Sequence, residues 1–187
     1  MKQRGQAVID KILDTADRLF YEQGYCNTGI NQVIEEADIA KASLYKHFES
    51  KADLLVAYLQ RTHQRWYQRL EADVNNVPEP KGKILAIFDH HIKRQEIRDF
   101  GGCPFIKAND EAGTSDPRVL AEIQKTKINL KNLIKRLVSN SGHKNILTDS
   151  ELVETIFLMV EGAVVEASIF KQTADLKSGK KIIQKLL

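Results

Sequence analysis

The 187-residue sequence is poor in cysteine, proline, glycine and tryptophan, with two, four, ten and one of each. Its two cysteines, Cys26 and Cys103, are too few for a disulfide framework, which excludes a small disulfide-stabilised scaffold. No apolar run approaches the roughly 20 residues that a membrane-spanning helix needs. The chain begins MKQRGQ rather than with an apolar signal segment. We therefore expect a cytoplasmic protein with no membrane partner.

The sequence also lacks the short motifs that carry common enzyme chemistry. It has no glycine-rich phosphate loop, no nucleophile elbow and no HExxH zinc signature. His63, His90 and His91 do not follow a recognised ligand spacing, so we expect no metal site and no cofactor. We accordingly predict that the protein is not an enzyme.

Helix-favouring residues dominate what is present. Leu, Ile, Ala, Lys, Glu and Gln are abundant, and apolar residues recur at intervals of three and four along most of the chain. We find no credible strand pattern and no internal repeat. The pattern predicts an all-α protein of about nine helices. We expect a three-helix DNA-binding domain with a helix-turn-helix over residues 1–50, and a larger helical ligand-binding and dimerisation domain over residues 51–187.

The stretch ADIAKASLYKHFESKADLL, residues 37–55, contains the most informative pattern. On a helix from Ala40 to Phe48, Leu44 and Phe48 fall on one face and pack inward. The opposite face is small, hydroxylated and basic. Such a face suits insertion into the major groove of DNA, where an α-helix fits and base edges are accessible.

The residues on either side extend this pattern to a helix-turn-helix. Thr28 is predicted to cap the preceding helix, and Asp38 and Ile39 make a tight turn between the two helices. Ser50 is placed to cap the helix that opens with Lys51. A helix, a short turn and a second helix with a polar outer face are typical of DNA-binding proteins.

Charge is segregated rather than abundant. The net charge is +3, and residues 1–65 carry nine Lys or Arg and nine Asp or Glu, so the first domain is neutral overall. Lys41, Lys46 and Lys51 nevertheless cluster on the proposed binding edge. Phosphate contact requires a local basic edge rather than a basic total.

The run from Ile9 to Leu59 resembles the N-terminal DNA-binding domain of the TetR family of bacterial transcriptional regulators. The matching pieces keep their order without gaps: ILDTA (12–16), LF (19–20), GY (24–25), Thr28, Ala37, Lys41, LY (44–45), HF (47–48), SK (50–51) and Leu54. Asp38 stands where the family often has Gly, and Ala40 stands where it often has Ser or Thr. A missing N-cap costs about 1 kcal/mol. Either Asp38 replaces the cap, or Leu44 and Phe48 stabilise the helix.

The resemblance implies a ligand-responsive regulator, most often a repressor, that binds near-palindromic double-stranded DNA as a homodimer. We expect three residues of the second helix nearest the bases and five further residues at phosphates or on the basic edge. In that order, these residues are Ala42, Ser43 and Lys46, then Thr28, Lys41, Tyr45, His47 and Lys51.

The region from Leu152 to Phe170 is apolar on more than one side. That width predicts burial against a partner, and the alternative is a helix fully buried in the core. The resemblance implies that the last two helices form a four-helix dimer interface. The predicted interface residues are Val153, Ile156, Val160, Ala163, Val164, Ala167 and Phe170.

The segment FGGCPFIKANDEAGTSDPRV, residues 100–119, is similar to one between two ligand-domain helices in a subgroup of that family. The resemblance implies a small-molecule effector bound by the second domain. An aromatic and methionine lining suits an apolar ligand, although each such residue is also an ordinary core candidate. The predicted pocket residues are Trp66, Tyr67, Phe88, His91, Phe100, Cys103, Phe105, Phe157 and Met159.

Two other functions stay open. One is thiol-based redox sensing at Cys103, which follows two glycines but has no Lys, Arg or His within three residues. The other is a helical protein-interaction module that does not bind DNA. Cys26, beside Tyr25, is predicted to be buried.

Overall fold

The computed structural model describes residues 2–144 and 147–187, with side chains from residue 5 onward. Over these ranges the chain forms nine α-helices, one π-helical turn and no strand, which confirms the all-α class. The helices are α1 (Lys2–Glu22), α2 (Ile30–Glu36), α3 (Lys41–His47), α4 (Lys51–Asn75), α5 (Pro80–Ile97), α6 (Pro104–Ala108), α7 (Pro117–Ser139), α8 (Asp149–Phe170) and α9 (Ala174–Leu186), and the π-helical turn spans Asn109–Gly113. None of these helices is long and apolar enough to cross a membrane.

The helices group into two compact units. The first unit comprises Met1–Gln64 and Pro104–Gln124, and the second comprises Arg65–Cys103 and Lys125–Leu187. The helices α4 and α7 each contribute residues to both units. The predicted functional boundary at residue 50 is not tested by this grouping and stays a prediction.

The first unit is built on the apolar stripe of α1. Ile12, Ala16 and Leu19 are at most 2% exposed, because helical spacing places them on one face. The Phe20 ring meets the rings of Tyr25 and Tyr58 edge-on, with 5.5 Å between ring centroids in each pair. Burying a large apolar side chain contributes roughly 1.5–3 kcal/mol. The helices α2 and α3 pack against this core.

Thr28 does not cap α2, contrary to the prediction. The N-cap is Gly29, which makes no side-chain cap. Thr28 is fully buried, its hydroxyl donates to the carbonyl of Gly24 at 2.6 Å, and it accepts from Gln23 Nε2 at 3.2 Å. The hydroxyl therefore makes its hydrogen bonds in the loop between α1 and α2, so it is not available to cap the N-terminus of α2.

The turn before α3 decides between the two predicted ways of stabilising this helix. Asp38 has the left-handed φ of 46° that the family's Gly favours. Its exposed carboxylate accepts from Lys11 Nζ at 3.2 Å and does not cap α3. Ala40 is the N-cap and makes no side-chain hydrogen bond. The buried side chains of Leu44 and Phe48 therefore stabilise α3, as the second alternative states.

Ser50 caps α4, as predicted. The N–H of Asp53 donates to Ser50 Oγ at 3.1 Å, and the Ser50 hydroxyl donates to the Asp53 carboxylate at 2.7 Å. Arg118 at the start of α7 donates to the other oxygen of Asp53 at 2.6 Å and to Asp116 at 2.8 Å. The cap is therefore part of a network that joins the start of α4 to the start of α7 within the first unit.

In the second unit α5, α8 and α9 pack against one another. Six of the seven predicted dimer-interface residues are buried there in the core of the chain itself: Val153, Ile156, Val160, Ala163, Val164 and Ala167. The dimer prediction for these six residues is wrong, because α5 and α9 cover a wide arc of α8. Phe170 is 60% exposed and stays on the surface.

The segment after Cys103 contains two short helical elements. Pro104–Ala108 forms α6, and the π-helical turn Asn109–Gly113 follows it directly. A five-residue helix shows too little periodicity to detect from the sequence, and a π-turn departs from the 3.6-residue repeat. The next helix, α7, begins at Pro117.

Candidate functional site

The outer face of α3 is exposed and polar, as the sequence predicted. Lys41, Ala42, Tyr45 and Lys46 are exposed, whereas Leu44 is fully buried beneath them. Ser43 and His47 lie half-buried on the flanks. The Lys41 ammonium is 6.0 Å from the centroid of the Tyr45 ring, at the outer limit of a cation–π contact. The structure therefore places six of the eight predicted DNA-contacting residues on one helix.

The positive charges of this edge are not neutralised within the protein. Cations elsewhere in the first unit are paired with carboxylates: Lys11, Arg18 and Arg61. In contrast, Lys41, Lys46 and Lys51 make no salt bridge with any residue in the part of the chain that the structure describes. A neutral domain therefore keeps a free basic edge, which is the requirement for phosphate contact.

Lys51 is held in place by an aromatic ring. Its ammonium lies 4.1 Å from the centroid of the Tyr25 ring, and the side chain is half-buried at the first turn of α4. Burial lowers the pKa of Lys51, and the nearby Cys26 and Glu111 partly oppose that effect. Burial likewise raises the pKa of Tyr25. Lys51 is therefore a positioned cation at a helix N-terminus, where anions bind favourably.

The side chain of Thr28 is not available for the predicted phosphate contact. The side chain is 0% exposed and its hydroxyl is engaged with Gly24. The sequence match could not reveal this, because a buried threonine and a capping threonine share the same position in the chain.

A contact that the sequence did not predict holds the loop before α2. The main-chain N–H of Cys26 donates to the Glu111 carboxylate at 2.5 Å, and the Cys26 thiol donates to the Glu111 carbonyl at 3.6 Å. Lys107 donates to the carbonyl of Tyr21 at 2.8 Å. Cys26 is exposed, contrary to the prediction, because the neighbouring Tyr25 takes the place against Phe20. The α6–π segment therefore belongs to the same compact unit as the helix-turn-helix.

Eight of the nine predicted pocket residues lie in the second unit. Trp66, Phe88 and His91 are buried there, and Tyr67, Phe100, Cys103, Phe157 and Met159 are partly buried. Phe105 is buried in the first unit. The assignment of all nine residues to a ligand pocket stays a prediction.

An aromatic and histidine cluster occupies part of the second unit. The Trp66 ring centroid lies 6.2 Å from that of His91, 6.4 Å from that of His90 and 6.1 Å from that of Tyr67. His90 Nδ1 is 2.7 Å from a carboxylate oxygen of Asp73. Burial keeps the pKa of His91 well below its usual value, and the charges of His90, Arg94 and Lys127 act in the same direction. His91 is therefore a neutral imidazole at neutral pH.

Cys103 has a lysine neighbour that the sequence did not show. Lys127 on α7 lies 3.7 Å from Cys103 Sγ and 2.6 Å from a carboxylate oxygen of Glu161 on α8. Burial alone would lower the pKa of Lys127, but Cys103 and Glu161 outweigh burial and leave it raised. Sequence reasoning missed Lys127 because it searched only three residues on either side of Cys103.

An open cleft of about 410 Å³ lies elsewhere in the second unit. Its lining is mostly polar: Glu71, Asn75, Pro78, Pro80, Lys83, Arg136, Leu137 and Asn140. None of the nine predicted pocket residues lines this cleft. Among the residues with described coordinates, no group of three or more His, Cys, Asp or Glu is arranged to hold a metal ion.

Comparison with known protein families supports the family resemblance predicted for the first unit. Residues 12–58 match the model of the family described as bacterial regulatory proteins, tetR family. An uncharacterized HTH-type transcriptional regulator of Mycobacterium tuberculosis, Rv1255c, is 31% identical over 83 residues, which are 44% of this chain and 41% of that protein. The HTH-type transcriptional repressor NemR of Escherichia coli is 21% identical over 90% of this chain and 88% of its own. The match to the Mycobacterium relative thus spans less than half of that protein's length.

Solved structures share the fold over nearly the whole chain. The reduced form of E. coli NemR superposes with a TM-score of 0.82 at 20% identity, covering 96% of both chains. A TetR regulator from Chloroflexus aurantiacus gives 0.85 at 22% identity, covering 97% of this chain and 94% of its own. A regulator from Saccharomonospora viridis in complex with choline gives 0.80 at 18% identity, covering 96% and 95%. At these identities the likeness establishes the fold.

Proposed function

Because the chain belongs to the TetR family of bacterial regulatory proteins, we propose that it is a DNA-binding transcriptional regulator. More specifically, we propose a cytoplasmic, ligand-responsive repressor that binds a near-palindromic operator as a homodimer. The observation that carries the proposal is α3, which buries Leu44 while presenting Lys41, Ala42 and Lys46 outward, and neither lysine makes a salt bridge with a residue that the structure describes.

In this proposal α3 enters the major groove. Ala42 and Lys46 lie nearest the bases because they are exposed on the outward face of the helix, and Ser43 reaches the bases from its flank. Lys41, Tyr45 and His47 lie at its edges and contact phosphates, and Lys51 does so from the first turn of α4. Thr28 has no side-chain role at the DNA, because its hydroxyl is buried.

The proposed homodimer follows from the small contact area of a single recognition helix, α3. One recognition helix contacts too few base pairs to be specific, whereas a two-fold dimer reads two half-sites about 34 Å apart. The burial of six predicted interface residues moves the proposed interface to the other side of α8. Leu158, Val165 and Ile169 recur there at seven- and four-residue intervals and are 64%, 39% and 60% exposed. Phe170 and, on α9, Ile182 are further exposed apolar residues, at 60% and 48%.

The ligand response is proposed from the second unit. Ligand bound there would favour a dimer whose recognition helices no longer match successive major grooves. Such a shift requires a ligand with different affinities for the two states of the dimer. One structural neighbour is in complex with choline, which shows that this fold accommodates a small molecule in that protein.

Selection from random duplex DNA tests the proposal. We expect the full chain to enrich a near-palindromic sequence, and the logarithm of its affinity should fall linearly with the logarithm of salt concentration. A protein-interaction module would enrich no sequence and would show no duplex preference. That result would refute DNA-binding regulation.

A redox-responsive variant of this function is the second candidate. The contact between Cys103 Sγ and Lys127 Nζ at 3.7 Å favours it, because redox-active thiols typically lie beside cationic side chains. If it is correct, mild peroxide should release the protein from the selected duplex, and Cys103→Ser should abolish this release. Cys26→Ser is the matched control and should respond as the unmodified chain does.

A further inference from the structure

Two buried polar side chains of the second unit lack hydrogen-bond partners in the part of the chain that the structure describes. His91 and Gln95 are 6% and 0% exposed. Both ring nitrogens of His91 and both amide atoms of Gln95 lack a hydrogen-bond partner among the described residues. Buried polar groups in folded proteins are almost always paired, so four unpaired atoms on two neighbouring side chains require an explanation.

The two side chains share one face of α5. They are four residues apart, and residues at that spacing are neighbours on the surface of a helix. The ring centroid of Trp66 lies 6.2 Å from that of His91, so a flat apolar surface adjoins the unpaired atoms. The ring nitrogen Nε2 of His90 is a fifth unpaired buried atom, although Nδ1 of the same ring contacts Asp73.

The charges around this pair favour an uncharged partner. Arg94 and Lys127 both act on His91 as nearby positive charges, so a cation would be repelled. The charge of Lys127 is matched by Glu161 at 2.6 Å, and the Arg94 guanidinium donates to the carbonyl of Gly102 at 3.4 Å, so each cation already has a partner within the protein. A neutral imidazole offers one donor and one acceptor, and a carboxamide offers two N–H donors and an acceptor oxygen.

We propose that His91 and Gln95 form the polar recognition element of the effector site, and that they select an uncharged molecule. This molecule carries a donor and an acceptor side by side, as a carboxamide does, on a flat apolar body that lies against Trp66. The inference rests on the ligand response proposed above and names the chemical class of that ligand.

A series of three probes of equal size tests the charge preference. Benzamide, benzoate and benzylamine share a ring and differ in charge at neutral pH. Trp66 is the single tryptophan of the chain, so quenching of its fluorescence reports binding beside His91. We expect saturable quenching of the full chain by benzamide, with a Kd at least about tenfold lower than for the two charged probes, because unmatched buried polar groups discriminate strongly.

Substitutions test the two residues. Gln95→Met keeps the size of the side chain and removes both amide atoms, and it should raise the Kd of benzamide at least about tenfold. His91→Leu is the second variant and should have an effect in the same direction. Gln184→Met, at an exposed position of α9, is the control and should leave the Kd unchanged. Circular dichroism verifies that each variant is folded.

If His91 and Gln95 had only a structural role, their variants would give different results. Because the polar atoms are unpaired, Gln95→Met should keep or raise the melting temperature, whereas a lower melting temperature with an unchanged benzamide Kd would overturn the proposal. Equal or tighter binding of benzoate or benzylamine, or no saturable quenching by any probe, would overturn it as well. Duplex selection with the unmodified chain is an independent readout, so failure of DNA recognition is distinguishable from failure of this inference.

Discussion

The carboxylate of Glu111 accepts a hydrogen bond of 2.5 Å from the main-chain N–H of Cys26. Glu111 lies in the π-helical turn, and Cys26 lies in the loop between α1 and α2, 85 residues earlier in the chain. Gly24 belongs to the same contact, because a Cβ at that position would come within 2.8 Å of Glu111 Oε1. The loop that leads into the helix-turn-helix is therefore held by a residue from a distant segment of the same unit.

The first prediction concerns this contact. Gly24→Ala should lower the free energy of unfolding by about 1–3 kcal/mol, because the residue has a φ of 90° and no room for a Cβ beside Glu111. When Glu111 is also replaced by Ala, the steric conflict with its carboxylate is removed. Gly24→Ala should then lower the free energy of unfolding by about 1 kcal/mol less. Urea unfolding of the two single variants and the double variant measures this coupling.

Asp110→Ala is the matched control for this cycle, because Asp110 is an exposed neighbour in the same π-helical turn. We expect no coupling between Asp110→Ala and Gly24→Ala. Equal costs of Gly24→Ala with and without Glu111 would show that the carboxylate does not restrict the loop.

The second prediction concerns pH and the cap of α4. Hydrogen bonds from the Ser50 hydroxyl and from Arg118 hold the pKa of Asp53 below its usual value. A carboxyl group with a lower pKa in the folded state contributes stability above its unfolded pKa of about 4. That contribution is lost as the pH falls through the folded pKa, which lies lower. Asp53→Asn should therefore reduce the melting temperature at pH 7, and the difference from the unmodified chain should shrink as the pH falls below about 4.

Thermal unfolding followed by circular dichroism between pH 2 and pH 7 measures this dependence. Asp110→Asn provides the comparison and should leave the melting temperature close to that of the unmodified chain at pH 7. A melting-temperature difference for Asp53→Asn that stays constant across this pH range would rule out the ionised carboxylate as the source of the stability.

The third prediction separates two lysines at the DNA. Lys46→Ala should weaken binding to the selected operator more than binding to a scrambled duplex, because we propose that Lys46 contacts base edges. Lys51→Ala should weaken both alike, because we propose that Lys51, which is held on the Tyr25 ring, contacts a phosphate. Lys51→Ala should reduce the slope of log affinity against log salt by about 1, whereas Lys46→Ala should reduce it by less.

Fluorescence anisotropy with both duplexes over a range of salt concentrations gives these values. Lys177→Ala, at an exposed position of α9, should change neither duplex affinity. The roles of the two lysines would have to be revised if both variants lowered operator and scrambled-duplex affinity by the same factor.

The fourth prediction concerns the apolar face of α8. Leu158→Asp and Ile169→Asp should convert a dimer to a folded monomer, because each places a charge on the exposed face proposed to meet the partner. Ile128→Asp changes an isoleucine that is 55% exposed on α7 and should leave the dimer intact. Val160→Asp, at a fully buried position of α8, should instead unfold the second unit. Sedimentation velocity together with circular dichroism distinguishes these outcomes, and an unchanged dimer in both α8 variants would disprove the interface.

Much of the first unit could be predicted from the sequence because its signals are local. The burial of Leu44 and Phe48 and the exposure of Lys46 follow from helical spacing over nine residues. The cap at Ser50 and the missing cap at Ala40 follow from single residue types at helix starts. Thr28 is the exception, because a threonine before a helix either caps it or turns into the core, and only packing distinguishes the two.

The sequence by itself therefore determined the all-α class and the polar face of α3, since both depend on residues within a few turns of one another. Only the tertiary structure decided which side of α8 is covered, because an apolar helix does not reveal how many neighbours surround it. It also brought Lys127 to Cys103 across 24 residues and Glu111 to Cys26 across 85. Such contacts depend on how separate helices pack, and no spacing within one helix encodes them.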